Sequence, residues 1–552
     1  MQQQLASSDA ATDLLKWLAD RRGAIRTAVE VDESPSTAGR RLLASRNFAA
    51  DEVLMSVPLT SVFVDIENDA DTYIPWSARM ALRLLQHKSL CLRADPDDSL
   101  MCPWIAALPR QVILPHIHFS DAEVMALQDP ETVKEVQAMR LSHEACFQEL
   151  EKDLEVVGCN RQDFDWAVSV LHSRCFIQGP QSIHMTVPGV DLANHSFSFN
   201  ATVRCVYSPE ATQGREAEED VCDPPPAQPA MFQLLSGPDG VRNGEEVTIS
   251  YGDWPNDVFL LFFGFLPEGN QHASVVLFDT LQDLAHCYDL LVQQQGQRAQ
   301  HQQQTHDAQH RTRQEHLQNQ HMQHQHGGIP REAQDPEPQA STSDQHQQQA
   351  GHPQAQPQAH ASSLSGSTDQ GLSRSSQLEQ TDPGASHSNA EPDSYGLIAS
   401  GDAVHIEAAF QQEAGCEAHA NSMPESQSSD SRTDWTESQL ALLQARLGPG
   451  DWSRLVVTAA GFDGRLIHAA QALVHLHENH VNDEQLQSQA PSLGALLSFR
   501  CNQMLSQFAT SIQQDVQQLC SKELEDKLRL VVQYRLGKKQ ILQHAYDAST
   551  QM

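Results

Sequence analysis

A low-complexity tract divides this chain and limits what it can fold into more than any other feature. Residues 293–395 are dominated by Gln, His, Ser and Ala and hold almost no large apolar side chains. Such a tract buries too little surface to offset the entropy lost on ordering, so we predict a disordered linker over 293–430. A coil of about 100 residues spans roughly 50–60 Å, so this linker would tether the second region without fixing its orientation.

The two flanking regions carry different secondary-structure patterns. Residues 10–290 begin with short apolar runs punctuated by Pro and Gly, which predict strands, and residues 76–176 carry apolar side chains at helical spacing. Strand patterns then return in three places: 201–208, 231–237 and 245–252. Residues 431–548 show helical spacing throughout. We therefore predict an α+β fold with a helical insert, followed by a long disordered linker and an all-α C-terminal domain.

Charge and hydropathy exclude several classes of function. The 552 residues include 36 Lys and Arg against 72 Asp and Glu, a net charge of −36, which disfavours general binding to nucleic acid or to an anionic membrane surface. No apolar run reaches the roughly 18–20 residues that span a bilayer. The N-terminus lacks a secretory signal, and the fold is expected to start by residue 14. We therefore expect cytoplasm or nucleus, and the chloroplast less so.

The eleven cysteines are scattered and form no CxxC pair. Their odd number argues against a disulfide framework and favours a reduced intracellular setting. Common enzyme signatures are also absent: the sequence contains no P-loop, no GxGxxG after a strand, no HExxH and no GxSxG. Phosphate transfer, dinucleotide binding, zinc proteolysis and hydrolase-fold chemistry thus lose support.

Two short segments carry chemically useful side chains. The first is "DLANHS" (191–196), and the second, about fifty residues later, is "EVTISYGDW" (246–254). Taken alone, the first segment can be a turn that satisfies its own hydrogen bonds. Tyr251 alone can be a packed strand tyrosine whose hydroxyl reaches the surface.

The segments gain meaning because they belong to an ordered set of motifs. In chain order the set is Trp17 and Gly23-Ala24, Gly39 with "RRLLA", "CPWIAALP" (102–109), "WAVSVLHSRCF" (166–176), "VPGVDLANHS" (187–196), "ISYG" (249–252) and "LLFFGFLPEGN" (260–270). This set resembles the SET-domain protein methyltransferases, and more narrowly the branch typified by the RuBisCO large-subunit lysine methyltransferase. Members of that branch carry a helical insert and a helical C-terminal substrate-binding domain. The resemblance covers residues 14–275 well and residues 431–548 more weakly, mainly through "QYRLGKKQIL" (533–542).

The resemblance implies a pocket for S-adenosylmethionine and a catalytic Tyr251. Arg174 would meet the methionine carboxylate, and the backbone at Asn194 and His195 would hold the adenine and ribose. The positions that match cofactor-binding places are Ala38, Gly39, Arg40, Arg174, Asp191, Leu192, Ala193, Asn194, His195, Phe263, Gly264 and Phe265. An ion pair on a surface helix is the alternative role for Arg174.

Two departures from the family pattern bear on the site. The family has a second glycine where this chain has Arg41, so that side chain has to point away from the cofactor. The family's "YGF" is Phe263-Gly264-Phe265 here, which removes a hydroxyl near the acceptor nitrogen and bears on which residue is methylated and how often.

The expected function is S-adenosylmethionine-dependent lysine N-methylation of a non-histone protein. A histidine acceptor and a catalytically silent binding module remain alternatives. The C-terminal domain would help to dock the protein substrate, and Arg535, Lys538 and Lys539 either contact an acidic partner or form an ordinary solvated helix face. We expect a monomer without nucleic-acid or membrane partners. The seven histidines of residues 301–326 lack fixed spacing, so we predict a solvated tract and no metal site.

Overall fold

The computed structural model describes residues 10–21, 24–26, 29–32, 40–65, 74–93, 101–178, 183–206, 230–325, 437–480 and 491–552. The helices within these residues are α1 Ala10–Arg21, α2 Trp76–Arg93, α3 Cys102–Ala107, α4 Pro115–His118, α5 Asp121–Met125, α6 Pro130–Val157, α7 Arg161–His172, α8 Asn256–Val258, α9 Leu281–Gln325, α10 Glu437–Leu447, α11 Gly464–His480, α12 Leu493–Gln507, α13 Ile512–Leu519 and α14 Asp526–Ser549. The strands are β1 Ile25–Arg26, β2 Val29–Asp32, β3 Arg41–Ala44, β4 Val53–Pro58, β5 Phe63–Val64, β6 Phe176–Gln178, β7 Ile183–Thr186, β8 Asn194–His195, β9 Ala201–Val206, β10 Met231–Ser236, β11 Thr248–Ile249, β12 Ser274–Phe278, β13 Leu455–Thr458 and β14 Gly461–Phe462. The predicted α+β class is confirmed.

Small sheets form the N-terminal region. The largest has the order β1-β4-β10-β9 with antiparallel neighbours, and its strands bury their apolar side chains in one core. Two further antiparallel sheets, β2-β3 and β5-β7-β6, contribute buried side chains to the same core. The pair β8-β11 is parallel, and it joins the two segments that the sequence singled out.

Six helices, α2 to α7, occupy the predicted helical insert. Helix α7 shows why they form. Asn160 caps its first turn in a reciprocal capping box with Asp163, and Phe164, Val168 and Leu171 recur at helical spacing on its buried face. The helix ends at His172, which places the following residues at the edge of a cleft described below.

The chain divides into two units, residues 1–298 with 394–552, and residues 299–393. Of the second unit the structure describes residues 299–325, and they are helical. The expected start of the linker at residue 293 is therefore wrong, because α9 continues to Gln325. Glutamine and alanine are good helix formers. Their intrinsic preference explains why this stretch is helical although it buries few apolar side chains. The remainder of the predicted linker, 326–430, lies outside the described residues.

The C-terminal region is mainly helical, as expected, but the all-α prediction needs a correction. Strands β13 and β14 form an antiparallel sheet with β12, which comes from the other side of the tract. Val275 pairs with Val457, and Val276 with Val456. β-branched side chains favour this extended pairing. Residues 273–291 share one hydrophobic core with residues 443–545, so the predicted boundary at residue 290 cuts through this domain.

The three cations of α14 are buried, which corrects both readings of them. Lys539 and Arg535 pair with Asp515, and the Arg535 guanidinium also donates to the carbonyl of Ala126 at 2.8 Å. Lys538 pairs with Asp129. A stripe of charges opposite an apolar stripe resembled a solvated face, but carboxylates from distant segments cover it. The pairs also fix the C-terminal region on the helical insert, so its orientation does not depend on the tract.

Cys91 and Cys102 form a disulfide between the end of α2 and the start of α3. The odd cysteine count argued only against complete pairing, and it could not exclude one bond between neighbouring helix ends. Cys159, Cys287, Cys501 and Cys520 are free thiols. No helix in those ranges is long and apolar enough to cross a membrane.

Candidate active site

Two segments separated by about fifty residues lie side by side at the parallel pair β8-β11. Asn194 is paired with Thr248 and His195 with Ile249. Beyond the strand ends, the Tyr251 backbone N–H donates to His195 Nδ1 at 3.1 Å, and the Tyr251 hydroxyl donates to the carbonyl of Ala193 at 2.9 Å. The structure therefore brings Tyr251 directly onto the Asn194-His195 turn.

A cleft of about 320 Å³ opens beside this junction. It is lined by Pro109, Gln111, Val112, Ile113, Ser173, Arg174, Asp191, Asn194, Tyr251, Phe263, Gly264 and Phe265. Seven of these residues are among the predicted site residues, and they come from four separate segments of the sequence. The cleft combines one guanidinium and one phenol with aromatic and aliphatic walls.

Arg174 lies just beyond the end of α7 and is held by Asp191. Its guanidinium donates to the Asp191 carbonyl, and the two charged groups are 3.6 Å apart. Asp191 is itself fixed, because Trp104 Nε1 donates to its carboxylate at 3.0 Å and the Gly189 N–H donates at 2.9 Å. The Arg174 Nε atom is buried and has no hydrogen-bond partner among the residues that the structure describes. A buried guanidinium donor without an acceptor fits an anionic group in the adjoining cleft.

The phenol of Tyr251 stays neutral. Burial raises its pKa to about 12; the nearby Arg174 opposes that rise, whereas Asp191 and Glu246 add to it. Since the hydroxyl proton is donated to Ala193, the oxygen keeps its lone pairs for a donor from the cleft.

An aromatic wall follows the predicted "FGF" positions. The rings of Phe263 and Phe265 lie 5.4 and 6.5 Å from the Tyr251 ring, centre to centre. A π-helical turn, Phe259–Phe263, carries the first of them. Gly264 then adopts a φ of +76°, and a Cβ there would lie 2.3 Å from the carbonyl oxygen of Ile113. Only glycine fits at this contact, which packs the aromatic wall closely against the opposite side of the cleft.

The side chains of Asn194 and Arg40 hold together the backbone segments around the cleft. The Asn194 amide donates to the carbonyl of Arg40 at 2.8 Å and to Glu246 at 2.9 Å, so this side chain ties three segments together. The Arg40 guanidinium donates to the carbonyl of Ala107. Leu192 and Ala193 are buried in the main core. These four predicted residues therefore shape the site more than they offer side chains to it.

His195 is a packing residue. Its ring lies 4.5 Å from that of Phe197 and 4.9 Å from that of Phe259, between ring centres. Burial lowers its pKa to about 4, so the imidazole is neutral near pH 7. Nδ1 accepts from Tyr251, which assigns the ring proton to Nε2.

The fold accommodates Arg41 at the position where the family has a second glycine. Arg41 forms an ion pair with Asp32 on the neighbouring strand β2, where the two residues are directly paired. The predicted residues Ala38 and Gly39 lie outside the described residues.

Sequence reasoning missed part of the cleft. Gln111, Val112 and Ile113 line it, and they directly follow the "CPWIAALP" motif, which was the available signal. Trp104 lies within that motif, and its indole fixes Asp191. Glu246 opens the "EVTISYGDW" segment but carries no recognisable pattern of its own.

The family-level evidence agrees with this architecture. A sequence profile described as "Rubisco LSMT substrate-binding" matches residues 469–542. The ribulose-1,5 bisphosphate carboxylase/oxygenase large subunit N-methyltransferase, chloroplastic, of Pisum sativum is 26% identical over 292 residues, which are 49% of this chain and 55% of the relative. The crystal structure of the SET domain of LSMT bound to lysine and AdoHcy matches with a TM-score of 0.51 at 14% identity, over 99% of this chain and 92% of that one. This chain is thus similar to the Rubisco LSMT-like SET-domain proteins in part of its sequence and in its fold.

Further similar proteins carry the name of a different acceptor residue. The actin-histidine N-methyltransferase of Xenopus tropicalis is 24% identical over 288 residues, 48% of this chain and 45% of the relative. Rubisco LSMT bound to sinefungin and monomethyllysine matches with a TM-score of 0.50 at 15% identity, over 99% of this chain and 92% of that one. The chain spans about half the length of the curated relatives it matches.

Proposed function

We propose that this LSMT-like protein is an S-adenosylmethionine-dependent protein-lysine N-methyltransferase that acts on a non-histone protein. The observation that carries the proposal is one cleft lined by the Tyr251 phenol, the Arg174 guanidinium and the Asn194 turn. The family resemblance names the reaction, and the relatives act on proteins by name.

The residues of the cleft fit S-adenosylmethionine. The unpartnered, buried Nε of Arg174 suits the carboxylate of its methionine part, because a guanidinium and a carboxylate pair strongly. Phe263 and Phe265 would cover the adenine side, and the backbone of Asn194 and His195 would hold the adenine and ribose. When bound, the cofactor supplies a methyl group on a positively charged sulfur.

The chain's own residues prepare the acceptor. A lysine amine has an ordinary pKa near 10.4 and must lose a proton before it can take a methyl group. The walls of Tyr251, Phe263 and Phe265 remove water from it, which lowers the pKa of the amine. The neutral Tyr251 oxygen accepts a hydrogen bond from the amine and orients it. Direct displacement then needs only alignment at about 3–3.5 Å, without a covalent enzyme intermediate.

Replacing Tyr251 by phenylalanine tests this role. We expect Tyr251→Phe to lower methyl transfer from labelled cofactor to a protein in cell extract by at least about a hundredfold, because the amine loses its orienting oxygen. Cofactor affinity measured by calorimetry should stay close to wild type. Tyr546→Phe, a partly buried tyrosine of α14, serves as the control. Equal labelling by Tyr251→Phe and wild type would remove Tyr251 from the mechanism.

A histidine acceptor is the second candidate, because actin-histidine N-methyltransferases are among the relatives and Phe263 replaces the family's tyrosine. Mass spectrometry of the modified peptide distinguishes methyl-lysine from methyl-histidine. A catalytically silent binding module is the third. Its main support was Arg41, and the pairing of Arg41 with Asp32 weakens that support. Calorimetry without any heat of cofactor binding would favour the silent module.

We also propose that the C-terminal helical domain helps to dock the protein substrate, in line with the substrate-binding profile over residues 469–542. We propose a monomer without nucleic-acid or membrane partners, located in cytoplasm or nucleus and less so in the chloroplast. Analytical ultracentrifugation tests whether the protein is a monomer, and localisation of the tagged full chain tests its compartment.

A further inference from the structure

The aromatic wall depends on contacts made before it in the chain. The three-residue helix α8 runs straight into the π-helical turn Phe259–Phe263, and Gly264 follows. A short helix and a π-helical turn hold themselves in place poorly, so packing against other elements must fix the wall. Asp257, in the middle of α8, makes such contacts.

Helix α14 of the C-terminal domain supplies both partners of Asp257. Lys538 Nζ donates to one carboxylate oxygen at 3.3 Å, and the Tyr534 hydroxyl, whose single proton is shared with Asp129, lies 3.2 Å from the other. The same two groups bind Asp129 of the helical insert, Tyr534 at 3.1 Å and Lys538 as a close ion pair. Lys538 is 8% exposed. Its ammonium group lies between two carboxylates that come from different parts of the SET region.

Apolar packing continues the connection from α14 to the wall. Val531 and Tyr534 share one buried cluster with Leu260, Leu261 and Phe262. These three residues lie within the π-helical turn that ends at the cleft. A displacement of α14 against α8 would therefore be passed to the cleft.

We infer that Lys538 is a positioning residue for methyl transfer: through Asp257 it holds the aromatic wall at the distance from Tyr251 that the acceptor needs. This inference rests on the proposed function. It makes the substrate-binding domain a part of the active-site framework, because a residue of that domain fixes a wall of the cleft. The adjacent Lys539 provides a matched control. It is 1% exposed and equally charged, but it bonds Asp515 and Thr510 within the C-terminal domain.

The test compares the purified full-length variants Lys538→Met, Lys538→Arg, Asp257→Asn and Lys539→Met with wild type, at a temperature where all are folded. We expect Lys538→Met and Asp257→Asn to lower kcat about tenfold or more, with cofactor Kd changed less than about twofold, because a small misplacement of a reacting group costs that much. Lys538→Arg should recover part of the loss, since it restores the charge. Lys539→Met should lose stability but keep its kcat per folded molecule.

Hydrogen–deuterium exchange gives a second readout that needs no activity. In Lys538→Met, the amides of residues 256–265 should exchange at least about tenfold faster than in Lys539→Met. Equal exchange in the two variants, or equal kcat per folded molecule, overturns the inference. If wild type transfers no methyl group, the proposed function fails, and exchange over residues 256–265 alone still decides whether Lys538 holds the wall.

Discussion

Replacing Gly264 by alanine should damage both stability and activity, because the backbone there leaves no room for a side chain. The left-handed φ of +76° costs an L-residue about 1–2 kcal/mol. The added Cβ would also lie 2.3 Å from the Ile113 carbonyl oxygen, which is backbone and cannot swing aside. Relief of such an overlap in a packed region costs a further ~1–3 kcal/mol.

We therefore expect Gly264→Ala to lower the free energy of unfolding by about 2–5 kcal/mol in urea titrations. Methyl transfer per folded molecule should also fall, because both sides of the cleft have to move. Gly269→Ala isolates the collision, since Gly269 has a φ of +66° and nothing within 4 Å of its added Cβ. If the two variants lose the same stability, the contact with Ile113 does not constrain the wall and the reasoning is refuted.

Two further predictions concern charge. Arg174→Met should weaken cofactor binding in calorimetry by roughly ten- to a hundredfold, the loss of a charged hydrogen bond, whereas the exposed Arg204→Met should leave it unchanged. Acidification should destabilise the fold through His116 and His172, which burial keeps neutral; it lowers the pKa of His116 well below the usual 6.5 and that of His172 to about 3. The unfolded chain takes up these protons near pH 6.5, so stability is complete above that pH. Below it, stability falls by up to about 1.4 kcal/mol per pH unit for each histidine. Urea unfolding at pH 7 and 5.5 measures the slope, which His172→Phe should reduce by up to about 1.4 kcal/mol per pH unit; an unchanged slope would contradict the assignment.

The sequence could predict the parts of the site whose residue types carry the chemistry. Asn194, His195 and Tyr251 stand in short motifs, and the family resemblance implied that their segments lie near one another; their parallel pairing is seen only in the structure. Alternating and helical spacing likewise predicted the α+β class. Short motifs and the spacing of apolar residues are local features, so they can be read from a single sequence.

The features that sequence reasoning missed depend on distant partners. The positive charge of Lys538 pairs with Asp129, 409 positions away, so a helical pattern with charges opposite apolar residues could not reveal its burial. Strand β12 has its partner beyond the low-complexity tract, and no spacing rule connects the two. The helical conformation up to Gln325 reflects intrinsic helix preference, which an argument from burial alone overlooked.

The pairing of β12 with β13 has a consequence for how such chains can change over time. Phe278 and Leu455 are neighbours in one sheet, so the long stretch between them is an excursion that starts and ends at the same place. The entropy of closing a flexible loop grows only with the logarithm of its length, and each doubling costs roughly 0.6 kcal/mol. Insertions or deletions within the excursion would thus leave the registration of the sheet nearly untouched.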